Sequence, residues 1–369
     1  MRKIKVLQFP IANSFGGITH YALDNWKWID KEKFQMDFAT MSKRLDFADE
    51  ILAAGSKIHY ISCYAEENRT QFIKEINDIL DEGYDVVHLH TKQWKSFLVE
   101  EICKQHNIPK VIVHAHSTRC DANDDEKREL ETKEHYRVRE EFNESYATDF
   151  WACSEAAAEW LYGDRIAADK IKIMKNAIDT EKFIYNRTIR EQIRKELGIE
   201  NKFVVGTVGR MVYQKNQQML LEAFAGACKK ADNIVLLIAG DGELRNELDN
   251  TVRRLEIEDK VIFLGKREDT DIIYQGMDLF VLPSRFEGLP ITVIEAQAAG
   301  LYCLCSDVIT QETDITGNIS FLPLDEKIWA DEIAKMPQYV RRDMSEVIKK
   351  AGYDINTQIL KIENEYSKL

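Results

Sequence analysis

Four short strings in the second half of this 369-residue chain combine cations, carboxylates and glycines in a way suited to an anionic, hydroxyl-rich ligand. Gly209-Arg210 follows the apolar run FVVGTV, and Lys215-Asn216 opens the next helical stretch. A planar guanidinium and an ammonium point charge both match phosphate oxygens, and a glycine lets the backbone turn tightly after a strand. Gly240-Asp241-Gly242 follows IVLLIA but lacks the third glycine of a dinucleotide fingerprint, so it reads as a strand-to-helix turn. Pro283 to Pro290 (PSRFEGLP) precedes a helical stretch carrying Glu295. There Gly288 permits close backbone approach, and a helix start offers unpaired N–H groups to an anion. Glu287 and Glu295 can each accept hydroxyl hydrogen bonds, as sugar and ribose rings require. Lys266-Arg267 follows KVIFLG; a guanidinium there could stack on a base or remain a solvated loop charge.

In the first half the histidines stand out. All eight lie between His20 and His135, and they include the pairs His88/His90 and His114/His116. Residues two apart on a strand share a face, so each pair points one way. Metal binding would need further ligands, and no neighbouring Cys or carboxylate completes a set, so no metal site is expected. Asp269-Thr270-Asp271 precedes an amphipathic stretch and reads as helix capping rather than as a metal motif. Gly16-Gly17 follows the first apolar run and precedes a helix over Ile18–Trp28.

These groups need a scaffold, and the hydropathy pattern supplies one. Strand-like runs fall at 3–9, 35–41, 57–61, 85–89, 110–114, 148–152 and 170–174, and amphipathic stretches separate them. The pattern restarts at 203–208, 234–239, 260–264, 278–282 and 302–306, with helices expected over 216–230, 243–256 and 292–300. Such alternation predicts α/β architecture with two doubly wound parallel sheets, whose ligands bind beyond the carboxyl ends of the strands. The polar stretch 176–200 reads as the linker between them.

Composition narrows the function. The net charge of −13 is spread almost evenly over the two halves, which disfavours nucleic-acid binding. No run of apolar residues is long enough for a transmembrane helix, and the N-terminus reads as a first strand rather than a secretion signal. Seven cysteines without a Cys-x-x-Cys pair suit buried thiols in a reducing cytoplasm.

The strings GRMVYQKN, GDGELRNEL, KVIFLGKRED and PSRFEGLPITVIEAQAAGL resemble the large retaining glycosyltransferase family 4, and within it the EpsF-type exopolysaccharide and capsule transferases. The spacing Glu287-x7-Glu295 is that family's hallmark, and the resemblance covers nearly the whole chain. It implies the GT-B fold: two Rossmann-like doubly wound domains facing a central cleft. The first would span 1–180 on the acceptor side, the second 181–344 would bind the sugar nucleotide, and a final helix within 345–369 would pack back on the first.

The resemblance also implies roles. Arg210 and Lys215 would hold the donor diphosphate, Glu287 the donor-sugar hydroxyls and Glu295 the ribose. Gly209 and the backbone at Gly288 and Leu289 would approach the donor, Arg267 would lie near it, and Gly16-Gly17 would approach the diphosphate from the other domain. His116, just after its strand, would belong to the active site. The expected reaction moves a hexose or N-acetylhexosamine from a UDP-sugar to a polyprenyl-diphosphate-linked saccharide, with retention and without a metal or other cofactor. The protein would be cytoplasmic, with peripheral contact at the inner membrane face. Two departures concern backbone geometry rather than chemistry: Asn176-Ala177 stands where the family often has Asn-Gly, and Leu301-Tyr302-Cys303 replaces a proline-containing run. The rival readings are a UDP-sugar epimerase on a related two-domain fold and a non-catalytic sugar-nucleotide-binding protein.

Overall fold

The computed structural model describes residues 2–13, 16–122, 124–335 and 339–369. The chain folds into two compact units. One comprises Met1–Cys120, Glu126–Ala177 and Ile355–Leu369; the other comprises Asp121–Asp125 and Ile178–Asp354.

The first unit is built on seven strands: β1 (Ile4–Ile11), β2 (Phe34–Thr40), β3 (Ile58–Tyr60), β4 (Val86–Thr91), β5 (Lys110–Ala115), β6 (Asp149–Ala152) and β7 (Ile171–Ile173). They pair in the order β3-β2-β1-β4-β5-β6-β7, every neighbour parallel. Strand order reverses between β1 and β4, the switch point at which doubly wound sheets open a crevice. One layer of the core packs Val6, Met36, Phe38, Val86, Ile112 and Trp151 of the sheet against Tyr21 and Trp26 of the helix Gly17–Trp28. Ile359, Ile362 and Tyr366 of the helix Ile355–Tyr366 join the same cluster. The chain thus returns to this unit over its last residues. The expected return segment 345–369 is divided: the helix Ser345–Lys350 belongs to the second unit and only the helix Ile355–Tyr366 to the first.

The second unit has six strands: β8 (Phe203–Val208), β9 (Ile234–Ala239), β10 (Val261–Gly265), β11 (Leu279–Leu282), β12 (Tyr302–Ser306) and β13 (Ile319–Leu322). Their order, β10-β9-β8-β11-β12-β13, is again all parallel, with its reversal between β8 and β11. Val205, Leu236, Ile238, Leu279 and Val281 meet Leu220, Leu221 and Phe224 of one covering helix and Trp329 and Ile333 of another. The central strands β8, β9 and β11 of the second unit are mostly apolar, as strands covered on both faces are, whereas β1 and β4 of the first carry polar residues among the apolar ones.

Residues 176–200, expected as a linker, contain ordered structure. The helix Arg187–Glu196 is capped by Asn186, whose side chain accepts from Ile189 N–H. Its Arg190 and Arg194 pair with Asp278 at the start of β11. Among the described residues no helix is long and apolar enough to cross a membrane. All seven cysteines are free thiols, five of them buried.

Candidate functional site

In the second unit the sequence-predicted residues converge on the switch point. The loop after β8 carries Gly209, Arg210 and Lys215; the loop after the adjacent β11 carries Glu287 and Gly288. Lys215 ends a 3-10 turn (Tyr213–Lys215), and Asn216 then adopts the left-handed conformation before the helix Gln217–Cys228. The two loops are stitched together. Asn216 Nδ2 donates to the Pro283 carbonyl at 3.1 Å, Gln214 Nε2 donates to the Phe286 carbonyl at 3.0 Å, and Arg285 N–H donates to the Gln214 carbonyl at 2.8 Å.

Glu287 sits at the centre of this stitching and is buried. Its Oε1 accepts from Lys215 Nζ at 2.7 Å and from Ser284 Oγ at 2.7 Å, while Gln214 Nε2 donates to Oε2 at 3.1 Å. An ionised carboxylate only accepts, and these three donors fix its orientation. Arg210 remains about one-third exposed at the head of the first loop, at 30% of its side-chain surface. Leu289 is buried, and Pro290 occupies the N-cap of the helix Ile291–Ala298. Ile291 and Thr292 lead that helix, and the next amide, Val293 N–H, donates to the Pro290 carbonyl at 3.1 Å. Glu295, inside it, accepts from the Tyr274 hydroxyl at 2.8 Å.

Gly240-Asp241-Gly242 forms the tight turn expected of it, for a steric reason the sequence did not disclose. A Cβ at Gly240 would stand 2.0 Å from the Gly209 carbonyl oxygen, and one at Gly242 would stand 2.4 Å from that of Met211. This turn lies directly on the Arg210 loop, and Met211 N–H donates to the Asp241 carbonyl at 2.9 Å. Arg267 makes a two-point ion pair with Asp269, Nε to Oδ1 at 2.7 Å and Nη2 to Oδ2 at 2.6 Å. Asp269 holds the N-cap position of the helix Thr270–Gly276, but its carboxylate grips Arg267 instead of a helix amide.

In the first unit, His116 lies one residue beyond β5, and Gly16 is the N-cap of the helix Gly17–Trp28. A Cβ on Gly17 would meet nothing within 4 Å, so the local fold does not demand glycine there. Facing the helices Gly17–Trp28 and Ile355–Tyr366, the sheet carries a polar stripe where such sheets ordinarily carry aliphatic residues. Gln8 pairs in register with His88, and His90 with His114. All four are buried, with Tyr366 beside them. His88, His90 and His114 present nitrogens within 4.8 Å of one another, close enough to hold a cation. Both nitrogens of His88 and of His90 and Nδ1 of His114 are instead hydrogen-bonded, so a metal held by all three rings would have to break existing hydrogen bonds. Burial pushes the three histidines of the stripe, and His116 beyond it, well below their ordinary pKa, His90 to about 3, and neighbouring imidazoles add to the effect at His88, His114 and His116. His116 keeps partial exposure but stays neutral for the same reason, with Lys92 adding to it.

Gln214, Ser284, Tyr274, Gln8 and Tyr366 were not singled out by sequence reasoning. Gln214 and Ser284 adjoin residues that were, and their polarity next to a glycine-bearing loop was the available signal.

Two family models match the chain: the glycosyl transferase 4-like domain over residues 16–177 and glycosyl transferases group 1 over residues 189–320. The chain is 28% identical over 374 residues to the putative glycosyltransferase EpsF of Bacillus subtilis (strain 168), an alignment covering 98% of this chain and 96% of that one. It is 27% identical to the Escherichia coli UDP-Gal:alpha-D-GlcNAc-diphosphoundecaprenol alpha-1,3-galactosyltransferase, covering 83% of this chain and 80% of the other. Among solved structures, Anabaena Alr3699/HepE in complex with UDP and glucose superposes with a TM-score of 0.77 at 17% identity, over 99% of this chain and 100% of that one.

Proposed function

Because this chain is a glycosyltransferase of the GT-B fold, carrying a glycosyl transferase 4-like domain and a glycosyl transferases group 1 domain, we propose that it transfers a hexose or N-acetylhexosamine from a UDP-sugar to a polyprenyl-diphosphate-linked saccharide, with retention of anomeric configuration, in exopolysaccharide or capsule synthesis. The E. coli relative is named for a UDP-sugar donor and a diphosphoundecaprenol-linked acceptor, and the Anabaena neighbour was crystallised with UDP and glucose. Both support the substrate classes.

The observation that carries the reading is the meeting of Lys215 and Glu287 at the carboxyl ends of two adjacent central strands. As the bond from sugar to diphosphate breaks, negative charge grows on the leaving phosphate. Lys215, Arg210 and the leading amides of the helix Ile291–Ala298 supply positive potential that is already in place when that charge develops. Metal is not required for this, since the cations stand in the protein itself. Glu287, fixed by three donors, orients donor-sugar hydroxyls, and Glu295 takes the ribose. Gly16-Gly17 leaves room for a ligand to approach the first helix, and Arg267 remains an auxiliary donor-side cation. Among the described residues the site's carboxylates, Glu287 and Glu295, are read as hydroxyl-orienting groups rather than as a pair for double displacement. The leaving-phosphate oxygen therefore takes the acceptor proton, and the new bond forms on the face that the old one leaves. The chain works in the cytoplasm, meeting its lipid-linked acceptor at the inner membrane face.

A panel of UDP-sugars screened for hydrolysis, transfer and thermal stabilisation tests this reading. One UDP-sugar should stabilise the protein and be turned over in the presence of a chelator. Strict dependence on a divalent cation, or a sugar nucleotide converted with no acceptor product, would contradict it. Flotation with anionic vesicles tests the membrane contact.

A further inference from the structure

The polar stripe of the first unit is a single directional chain of hydrogen bonds, and its sense follows from one amide. His90 Nε2 lies 2.8 Å from Gln8 Oε1. A carbonyl oxygen has no hydrogen to give, so His90 donates there. Its neutral ring then has a bare Nδ1, which accepts from His116 Nε2 at 2.9 Å. On the other side Gln8 Nε2 donates to the Tyr366 hydroxyl oxygen at 2.9 Å. The phenolic hydrogen goes to His88 Nδ1 at 2.7 Å, and His88 Nε2 donates to His114 Nδ1 at 3.0 Å. The chain ends at His114 Nε2, which is buried and without a hydrogen-bond partner. Each neutral imidazole has one donor and one acceptor nitrogen, so no tautomer along this line is free.

The other terminus is His116. With Nε2–H committed to His90, its Nδ1 carries no proton. We propose that this relay sets the tautomer of His116, so that Nδ1 accepts a hydroxyl hydrogen from the sugar substrate, and that Gln8 and Tyr366 are the positioning residues that fix it. The proposal rests on His116 belonging to the active site. Turning the Gln8 amide by half a rotation would reverse every bond in the chain and give His116 an Nδ1–H, a donor where a hydroxyl hydrogen must be received. Gln8 cannot turn alone: its amide hydrogen goes to the Tyr366 hydroxyl, whose own hydrogen goes to His88, so all three would have to reverse together. Breaking any one of these bonds would orphan further buried groups beyond His114 Nε2, at about 1–3 kcal/mol each, so the members act together.

Two measurements test it. Long-range proton–nitrogen NMR on histidine-labelled protein reads each imidazole's tautomer without any substitution. His116 and His90 should both be Nε2–H forms; a His116 protonated on Nδ1 overturns the proposal. Tyr366→Phe then removes the tie on Gln8. The His116 signal should become a mixture of tautomers, and kcat should fall about tenfold while KM for the UDP-sugar is unchanged. A folded Tyr366→Phe protein with an unaltered His116 tautomer also overturns it. His116→Asn separates the two levels. Full turnover in that variant removes His116 from the active site, while the wild-type tautomers still report whether the relay exists.

Discussion

Lys215 Nζ lies 2.7 Å from Glu287 Oε1, and through that contact the loop after β8 and the loop after β11 become one structure. Both partners are largely shielded, at 14% and 8% of their side-chain surface. The pair is therefore not a surface ornament worth a few tenths of a kilocalorie. Breaking it leaves a buried charge with fewer partners.

Lys215→Met should lower kcat by about 10²–10³, the cost of removing one preorganised group facing developing charge. Glu287→Gln should lower it by a similar factor while keeping Ser284 and Gln214 nearby. The double variant should be little worse than either single one, because the two side chains act as a unit. Steady-state kinetics on all three proteins decides this; simple multiplicativity would show that they act separately.

Gly240→Ala and Gly242→Ala should each disorganise the Arg210 loop, because the added methyl would collide with the carbonyl of Gly209 or Met211. The expected result is a loss of at least about 2 kcal/mol of stability and weaker UDP binding. Gly17→Ala is the counterpart. No atom lies within 4 Å of its Cβ position, so stability should hold. Any loss of activity in that variant would come from the bound substrate. Denaturant melts beside UDP titrations distinguish the two kinds of glycine.

Tyr274→Phe removes the hydroxyl that holds Glu295 at 2.8 Å. Glu295 then loses an orienting contact. UDP affinity should fall about tenfold, the equivalent of roughly 1.4 kcal/mol, with little change in the turnover of saturated enzyme. Calorimetric titration with UDP would measure it, and unchanged affinity would detach Glu295 from the nucleotide.

Glu100, buried in the helix Leu98–Gln105, has its carboxyl pushed up from 4.5 to about 7, chiefly by burial. The folded protein therefore binds this proton more tightly than the unfolded chain does. Below about pH 4.5 both states are protonated. Between about 4.5 and 7 stability should decline as pH rises, and above 7 the full penalty stands. Glu100→Gln should raise the melting temperature at pH 8 by several degrees, the equivalent of about 3 kcal/mol, with the gain vanishing near pH 4.5. Melting curves across pH for both proteins check the sign.

The strands of both sheets were legible because each is a compact apolar run, and a parallel sheet covered on both sides needs such runs. The exception is β13: Ile319–Leu322 is short, partly exposed and at a sheet edge, so its sequence carries little signal. The helix Arg187–Glu196 was hidden by its polarity, because it docks through arginines on Asp278 as well as through apolar residues. The motifs and the resemblance they carry pointed to Arg210, Lys215, Glu287 and Glu295, and of these Lys215 and Glu287 meet in the structure. Their supports were not legible, since Tyr274 and Gln214 reach their partners across turns that no local pattern encodes. The histidine pairs were legible as faces by the two-residue period of a strand. What they bind was not, for Tyr366 stands 278 positions from His88.

That distance also governs how the protein comes into being. The first unit borrows a wall from residues made after the whole second unit, so it cannot close its interior while the chain is still emerging. Until residue 366 is released, Gln8 and His88 lack their shared phenol. Birth order and assembly order are opposed in this molecule: the half that starts first finishes last.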